Sequence, residues 1–256
     1  MPPTTVAHFE PRLPEREDFP SPLIAGIVPH PPSSGPLTNL VIFLHGLGDS
    51  HISFARLAHH LQLPETACVS IQGPKAVPMF EEGYWMWTED IEFGSDGNVS
   101  DDGDFRTARA GLHELIKVLT KEKKDGGCGF KPRNVHIFGF GQGGVLGLDV
   151  AAQSPVDLGS MISVGGVLPS STPTPSSKKT TKVLICGGDE QSRVTTKEFE
   201  RIKSMFNQCQ RVIWRNHEGD GMPTPSARAE WTPIMAFFGQ NLQRMAGIPR
   251  DAVEML

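Results

Sequence analysis

Short apolar runs alternate along this chain with longer segments that repeat apolar residues every three or four positions. Helical periodicity is clearest at Phe105–Lys121, at Thr196–Phe206 and around Trp231 in the last segment. Strands that alternate with helices predict an α/β fold, with a mainly parallel sheet covered by helices on both faces. The apolar runs predict a short edge strand at Leu23–Val28 and buried strands at Leu40–Leu44, Ala67–Ile71, Ser160–Val164, Lys182–Cys186 and Arg211–Trp214.

The length of 256 residues is typical of one globular unit of this class. We therefore predict a single domain over residues 21–256. Residues 1–20 are rich in Pro, Glu and Arg and have no apolar periodicity, which predicts a flexible N-terminal arm.

Composition and charge exclude several classes of function. The formal net charge is −5 and the basic residues form no stripe, so we expect no nucleic-acid partner. The sequence has neither a run of 18 apolar residues nor a signal-peptide pattern, which predicts a cytoplasmic protein without an integral membrane segment. The four cysteines are scattered without C-x-x-C spacing. We therefore predict neither disulfides nor a metal site, and no motif indicates a cofactor.

Two glycine-rich loops stand out because each follows directly on an apolar run. Within Asn134–Val150 the first run ends in Gly139-Phe140-Gly141-Gln142-Gly143-Gly144 and a second run follows, which predicts a buried strand, a tight turn and a helix. Glycines at the first, third and fifth positions let the strand pass directly into the helix, where side chains would strike a neighbouring strand. The other loop, His45-Gly46-Leu47-Gly48-Asp49, follows the strand at Leu40–Leu44.

The segment Gly73–Val99 is long and rich in aromatic residues. A loop of this kind either covers an apolar pocket or packs against the sheet edge, and the sequence favours neither. We predict that Trp85 and Trp87 form the wall of an apolar groove beside Gly141. The acidic tract Ser95–Asp104 lacks the glycine and the glutamate that a calcium loop requires, so it is predicted to be a solvated loop that caps the next helix.

Three motifs together resemble the phospholipase/carboxylesterase family of α/β-hydrolases, the group that includes the acyl-protein thioesterases. They are Val41–Asp49, Gly139–Gly144 and Ser163–Pro169. The resemblance extends over roughly Thr38 to Leu242 and implies a single α/β-hydrolase domain that acts on carboxylic esters or thioesters. In that family, residues 139–143 correspond to the nucleophile elbow, the G-x-S-x-G turn that presents a serine.

The same resemblance implies that all three catalytic positions are changed. Gly141 stands at the serine position and has no side chain that could attack a carbonyl carbon. Gln191 stands at the position of the catalytic acid, where an amide cannot stabilise an imidazolium by its charge. In the best register of the glycine loop before the last helix, Met222 replaces the histidine.

Loop registers can shift by a few residues, which leaves a second interpretation of the base. His217 would then be the surviving base, oriented by Asp189 or Glu190. Otherwise His217 is a surface or capping histidine. Neither interpretation restores a nucleophile.

The oxyanion hole is the catalytic part that the resemblance implies is intact. It consists of two backbone N–H groups, which here belong to Leu47 and Gln142, and a backbone donor does not depend on its side chain. The same glycines beside Leu47 would also be required if this loop only made a tight turn at the end of the strand and bound no ligand.

Two functions are therefore compatible with the sequence. In the first, an inactive or strongly impaired family member binds an acyl or ester small molecule, a lipidated peptide or a protein partner. In the second, an active carboxylesterase or palmitoyl-protein thioesterase uses rearranged groups that include His217. The absence of a nucleophile favours the first.

Overall fold

A seven-stranded sheet organises the computed structural model of this chain, which describes residues 10–21, 23, 27–80, 82–91 and 102–245. The described strands are β1 (Ile27–His30), β2 (Asn39–Leu44), β3 (Thr66–Ile71), β4 (Lys75–Ala76), β5 (Trp85–Met86), β6 (Val135–Phe140), β7 (Ser160–Val164), β8 (Lys182–Glu190) and β9 (Cys209–Glu218). The order across the sheet is β1-β3-β2-β6-β7-β8-β9, while β4 and β5 form a separate hairpin. Only β1 is antiparallel to its neighbour in this sheet.

Helices cover both faces of the sheet, as the sequence predicts. They are α1 (His51–Leu61), α2 (Arg106–Thr120), α3 (Gln142–Gln153), α4 (Thr196–Met205) and α5 (Arg228–Asn241). Buried side chains of α2, α3 and α4 belong to one apolar cluster, and those of α1 and α5 belong to a second. The predicted single α/β domain with a mainly parallel sheet is confirmed.

Strand register determines which loops meet at the carboxyl end of the sheet. Leu44, the last residue of β2, lies opposite Gly139 of β6, and Phe140 lies opposite Val164 of β7. All six residues of β2 are buried, as expected for a central parallel strand. The loops that follow β2, β6 and β7 therefore begin side by side, which is where open α/β sheets bind ligands.

The predicted strands agree with the structure in place but not in length. β8 and β9 continue past the predicted ends, Cys186 and Trp214, because polar and glycine residues there still pair as far as Glu190 and Glu218. The edge strand is described over Ile27–His30 and so extends past the predicted end at Val28, while residues 24–26 of the prediction lie outside the described residues. The hairpin of β4 and β5 inside the aromatic segment was not predicted, since each of its strands has only two residues. Residues 92–101, which include most of the predicted capping loop, lie outside the described residues.

The N-terminal segment differs from the predicted flexible arm over residues 10–20. Phe19 is buried in the core cluster beside α2. Arg12 donates hydrogen bonds of 2.6 and 2.7 Å to the carboxylate of Asp18, and its backbone N–H donates to the carbonyl of Cys128. This docking depends on one buried ring and one ion pair, which produce no periodic pattern of apolar residues. The sequence pattern therefore did not predict it. Residues 1–9 lie outside the described residues.

His136 on β6 is a fully buried histidine far from the glycine loops. Its Nδ1 lies 2.8 Å from Ser160 Oγ, while Nε2 has no hydrogen-bond partner. Burial, with a smaller contribution from Lys182, lowers the pKa of this imidazole to about 3. The ring is therefore neutral in the folded protein at pH 7, because a proton on Nε2 would be an unsolvated charge.

We expect His136 to make the protein sensitive to mild acid. Below pH 6.5 the unfolded chain binds a proton at this histidine, whereas the folded chain does not until pH approaches 3. Within that window the contribution of His136 to the free energy of unfolding should fall by about 1.4 kcal/mol for each pH unit of acidification. Urea unfolding between pH 7 and pH 5 should give a shallower pH dependence for His136→Gln. Replacing the exposed His60 in the same way is the control, and equal slopes for wild type and His136→Gln would contradict the prediction.

Candidate active site at the nucleophile elbow

The turn between β6 and α3 has the backbone conformation of a nucleophile elbow, although its central residue is glycine. Gly141 has φ 49° and ψ −119°, a combination that is strained for any residue with a Cβ atom. Its N–H donates a 2.8 Å hydrogen bond to the carbonyl of Val164, and its own carbonyl accepts from Val145 in the first turn of α3. The geometry that would present a nucleophile is thus retained without the nucleophile.

Close backbone packing explains the glycines on either side of Gly141. A Cβ atom on Gly139 would overlap the carbonyl oxygen of Gly143, and one on Gly143 would overlap the carbonyl oxygens of Leu44 and His45. A Cβ atom on Gly141 itself would meet nothing nearer than the Cα of Gly46, at 3.9 Å. The flanking glycines are required by packing, whereas the central position has open space.

The two predicted oxyanion-hole donors lie beside this open space. Gln142 is the first residue of α3, and Leu47 follows Gly46 in the loop after β2. Within the described part of the chain, neither backbone N–H donates to a protein acceptor. The first N–H groups of a helix have no partner inside it, and the helix dipole adds partial positive charge at the same point. An oxygen atom with negative charge would be stabilised here.

A buried, neutral histidine holds the loop that carries Leu47. The N–H of Gly73 donates to His45 Nε2 at 2.8 Å, so the ring proton resides on Nδ1, which donates to the carbonyl of Gly46 at 2.7 Å. Burial lowers the pKa of His45 to about 4. With both nitrogens engaged and no exposed atom, His45 positions the loop and does not act as a base.

The aromatic hairpin packs directly on both glycine loops. Trp87 is 1% exposed, and its indole N–H donates a 2.8 Å hydrogen bond to the carbonyl of His45. The side chain of Gln142 accepts from the backbone N–H of Trp87 at 2.7 Å and donates to Thr88 Oγ1 at 3.2 Å. Trp85 pairs through its backbone with Gly48 and Asp49. Of the two predicted wall residues, Trp87 is therefore a core residue and only Trp85 presents surface, so the groove wall stays a prediction for Trp85.

The carboxylate at the ends of β7 and β8 is Asp220, which sequence reasoning missed. Asp220 Oδ1 accepts from Ser192 Oγ at 2.5 Å, and Oδ2 accepts from the backbone N–H of Arg193 at 2.7 Å. A Cβ atom on Gly165 would be 2.5 Å from the Cβ of Asp220. Gln191, at the predicted acid position, is exposed with φ 52°. Paired glycines in both strand ends are the one sequence signal of this close approach.

The two candidates for the base lie at the end of β9, which contains His217, and in the loop after it, which contains Met222. Met222 is half-buried in the apolar cluster that also includes Phe140 and Trp231. His217 Nδ1 lies 3.2 Å from Glu230 Oε1, and its Nε2 lies 3.1 Å from the carbonyl oxygen of Gly221. Each ring nitrogen of His217 therefore faces an oxygen atom, one in α5 and the other in the loop after β9.

Other nucleophilic groups near the elbow are occupied or buried. Ser163 Oγ is fully buried and donates to the carbonyl of Gly166 at 2.9 Å, and Ser50 caps the N-terminus of α1. Cys186 on β8 is fully buried, and burial raises the pKa of its thiol far above the ordinary value. In the described residues, no cluster of three or more His, Cys, Asp or Glu side chains could hold a metal ion.

Comparison with protein families identifies the class of fold and site. A profile described as Phospholipase/Carboxylesterase matches residues 31–251, which is most of the chain. The chain belongs to the phospholipase/carboxylesterase family. This family membership confirms the resemblance inferred from the motifs.

No helix among the described residues is long and apolar enough to cross a membrane.

Curated relatives of this family member are named as hydrolases. An uncharacterised hydrolase of Schizosaccharomyces pombe is 30% identical over 85% of this chain and 89% of its own length. An uncharacterised hydrolase of Mycosarcoma maydis is 32% identical over 82% of this chain and 79% of its own length. Acyl-protein thioesterase 1 of Saccharomyces cerevisiae is 27% identical over 51% of this chain and 59% of its own length.

Two solved structures share the fold of this chain. Esterase PE8 superposes with a TM-score of 0.67 at 20% identity, covering 85% of this chain and 99% of its own. Acyl-protein thioesterase 2 of Zea mays gives a TM-score of 0.62 at 20% identity, with the same coverage of 85% and 99%. At this level of identity the structures establish the α/β-hydrolase fold.

Substituting each elbow glycine by alanine should separate packing from backbone strain. Gly141→Ala has space for its Cβ atom and should lose about 1 to 3 kcal/mol of unfolding free energy from the strained backbone. Gly143→Ala should lose more or fail to fold, because its Cβ atom overlaps two carbonyl oxygens. Gly239→Ala is the control, since nothing lies within 4 Å of its Cβ position on α5. Urea unfolding that gave Gly143→Ala the stability of Gly239→Ala would refute the packing argument.

Proposed function

We propose that this member of the phospholipase/carboxylesterase family binds an acyl group without hydrolysing it. The observation that carries the proposal is Gly141, which occupies the nucleophile position in the elbow conformation with no side-chain oxygen or sulfur. Acyl transfer in this fold begins with attack by that side chain. Without it, the remaining elements stabilise a bound oxygen atom but form no covalent intermediate.

The space at Gly141 supports binding of a carbonyl or carboxylate group. Because a Cβ atom there would have no contact closer than 3.9 Å, a ligand atom can approach the elbow backbone. A ligand oxygen in this position would accept hydrogen bonds from the N–H groups of Leu47 and Gln142. Hydrogen bonds to a charged acceptor each contribute about 1.5 to 3 kcal/mol, so a carboxylate would be held more strongly than a neutral ester.

Replacement of the catalytic base makes the adjacent surface apolar. Met222 packs in one cluster with Phe140 and Trp231, all of them partly exposed. A methionine side chain adapts to irregular apolar partners, whereas a catalytic histidine would require a polar neighbour. An acyl chain is the ligand chemistry that fits a backbone oxyanion hole beside an apolar surface.

The second candidate function is hydrolysis with His217 as the base. The observation in its favour is the 3.2 Å contact between His217 and Glu230, which matches the pairing of a base with an orienting carboxylate. This candidate still lacks a nucleophile, since the nearby hydroxyls of Ser50 and Ser163 have other structural roles. A binding function therefore accounts for more of the site.

Relatives suggest where the acyl group comes from. Two similar proteins are named acyl-protein thioesterases, and that name describes an acyl group attached to a protein. We infer that the ligand is an acyl or ester small molecule or the acyl group of a lipidated protein.

Restoring the nucleophile alone should not restore catalysis. We expect neither the native protein nor Gly141→Ser to react with a fluorophosphonate probe, because no group removes the serine proton. The triple variant Gly141→Ser, Gln191→Asp, Met222→His should gain labelling and slow hydrolysis of a short acyl thioester, since triad members act as a unit. Circular dichroism of each variant is the control for folding.

Two results would contradict this account. Stoichiometric labelling of a native serine would show that a nucleophile exists elsewhere. Turnover by Gly141→Ser that is abolished by His217→Ala would establish His217 as a working base and favour the second function.

Binding can be tested directly with decanoate as the probe. Calorimetric titration should show saturable binding to the native protein, accompanied by a change in tryptophan emission that is reduced in Trp85→Ala. Gln142→Pro removes the backbone donor at a helix position that tolerates proline, while Gln142→Ala removes only the side chain. We expect Gln142→Pro to bind about tenfold more weakly than Gln142→Ala, the effect of one charged hydrogen bond. A flat titration of the native protein would overturn the proposed function.

A further inference from the structure

The tip of the aromatic hairpin presents an apolar surface that the proposed acyl site does not use. Between β4 and β5, Met79 is fully exposed, Phe80 is 65% exposed and Tyr84 is 44% exposed. We call these three residues the hairpin tip. Single exposed apolar residues are ordinary, but neighbouring ones on a single turn indicate a contact surface.

The hairpin tip lies beside the loop that follows β2. Val77 and Tyr84 are joined by a backbone hydrogen bond of 2.9 Å, and the N–H of Gly48 donates to the carbonyl of Trp85. The rings of Phe80 and Tyr84 lie 5.7 Å apart. Met79 has φ 62° in this turn. Backbone pairing at the base of the turn reduces the conformational entropy that a partner would have to remove.

The carboxyl end of the sheet, where the hairpin packs, has an excess of acidic residues. Among described residues, the loops at the carboxyl end of the sheet carry ten Asp or Glu residues and four Lys or Arg residues, a net charge of −6. The whole chain has a net charge of −5, so this end accounts for the negative charge of the molecule. These loops comprise residues 45–50, 72–80, 82–91, 102–106, 189–195 and 219–230.

Three carboxylates in and around the hairpin of β4 and β5 have no ion-pair partner among the described residues. Glu82 lies in the turn itself, Asp49 forms a backbone bridge with Trp85, and Asp90 follows the hairpin. The nearby Lys75 is already paired with Glu89 at 2.8 Å. A partner with positive charge would find uncompensated carboxylates here.

We propose that the hairpin tip and its carboxylates dock a lysine- or arginine-rich segment of a protein whose acyl group enters the site beside Gly141. The inference rests on the proposed function and adds the chemistry of the partner. Apolar stems of lysine and arginine pack on exposed rings, and their charges are attracted to the ring faces and to the carboxylates. An anionic bilayer would be repelled by the same carboxylates, so charge complementarity favours a basic protein over a membrane surface.

Fluorescent peptides with an octanoyl amide provide the test, since an amide resists slow hydrolysis. One peptide carries lysines around the acylated residue, a second carries glutamates, and a third is the lysine peptide without the acyl group. We expect the acylated lysine peptide to bind the full-length protein about tenfold more tightly than the acylated glutamate peptide at about 20 mM salt. The difference should shrink at about 500 mM salt, where screening is stronger.

Matched variants locate the interaction. The pair Glu82→Lys and Asp90→Lys should abolish the preference for the lysine peptide, whereas Glu122→Lys with Glu200→Lys makes the same change in net charge on remote exposed residues and should preserve it. Phe80→Ser should weaken binding of the lysine peptide about fivefold to tenfold. Ile213→Ser on β9 is its control, because Ile213 is an exposed apolar residue on the opposite sheet edge.

The outcomes distinguish this inference from the proposed function. Equal affinity for the two acylated peptides would overturn the docking surface and leave acyl binding in place. Loss of decanoate binding together with retained binding of the unacylated lysine peptide would overturn acyl binding and support the docking surface. A further measurement is cosedimentation with phosphatidylcholine vesicles that contain phosphatidylserine. Cosedimentation that is abolished by Phe80→Ser would identify the hairpin tip as a membrane contact and overturn the inference.

Discussion

The structure depends on a direct backbone contact between the elbow and the end of β2. Gly139 and Gly143 have no Cβ atoms, so the first turn of α3 lies against the carbonyl oxygens of Leu44 and His45. This contact places the N–H of Gln142 beside the loop that carries Leu47. The contact is between main-chain atoms and is possible because the glycines have no side chains. It therefore does not require any catalytic residue.

Side chains outside the elbow hold the same arrangement in place. His45 and Trp87 hold the loop after β2 through hydrogen bonds of 2.8 Å to main-chain groups, and the side chain of Gln142 connects the aromatic hairpin to α3. None of these contacts passes through residues 141, 191 or 222. The position of the loop after β2 relative to α3 is therefore independent of the side chain at residue 141.

Asp220 connects the loops that follow β8 and β9. Its carboxylate bonds to Ser192 and Arg193, and it fills the space that the absent Cβ atom of Gly165 leaves at the end of β7. The loops after β8 and β9 are thereby joined by polar contacts. The guanidinium of Arg193 also lies 3.9 Å from Asp220, so the charge of this carboxylate is compensated between the same two loops.

The sequence by itself determined the fold class and the family. Apolar runs with glycine turns predicted the parallel strands, and the three motifs led to the correct family. The identity of residue 141 was sufficient to question catalysis, since an absent side chain is absent in any conformation. Tertiary structure alone decided the rest: that Phe19 and Arg12 dock an apparently loose segment, that Trp87 is core and Trp85 is half-buried, and that Asp220 lies where two strands end. Each of these depends on a single long-range contact, and such a contact leaves no periodic trace in the chain because its partners are distant in sequence and need match only in space.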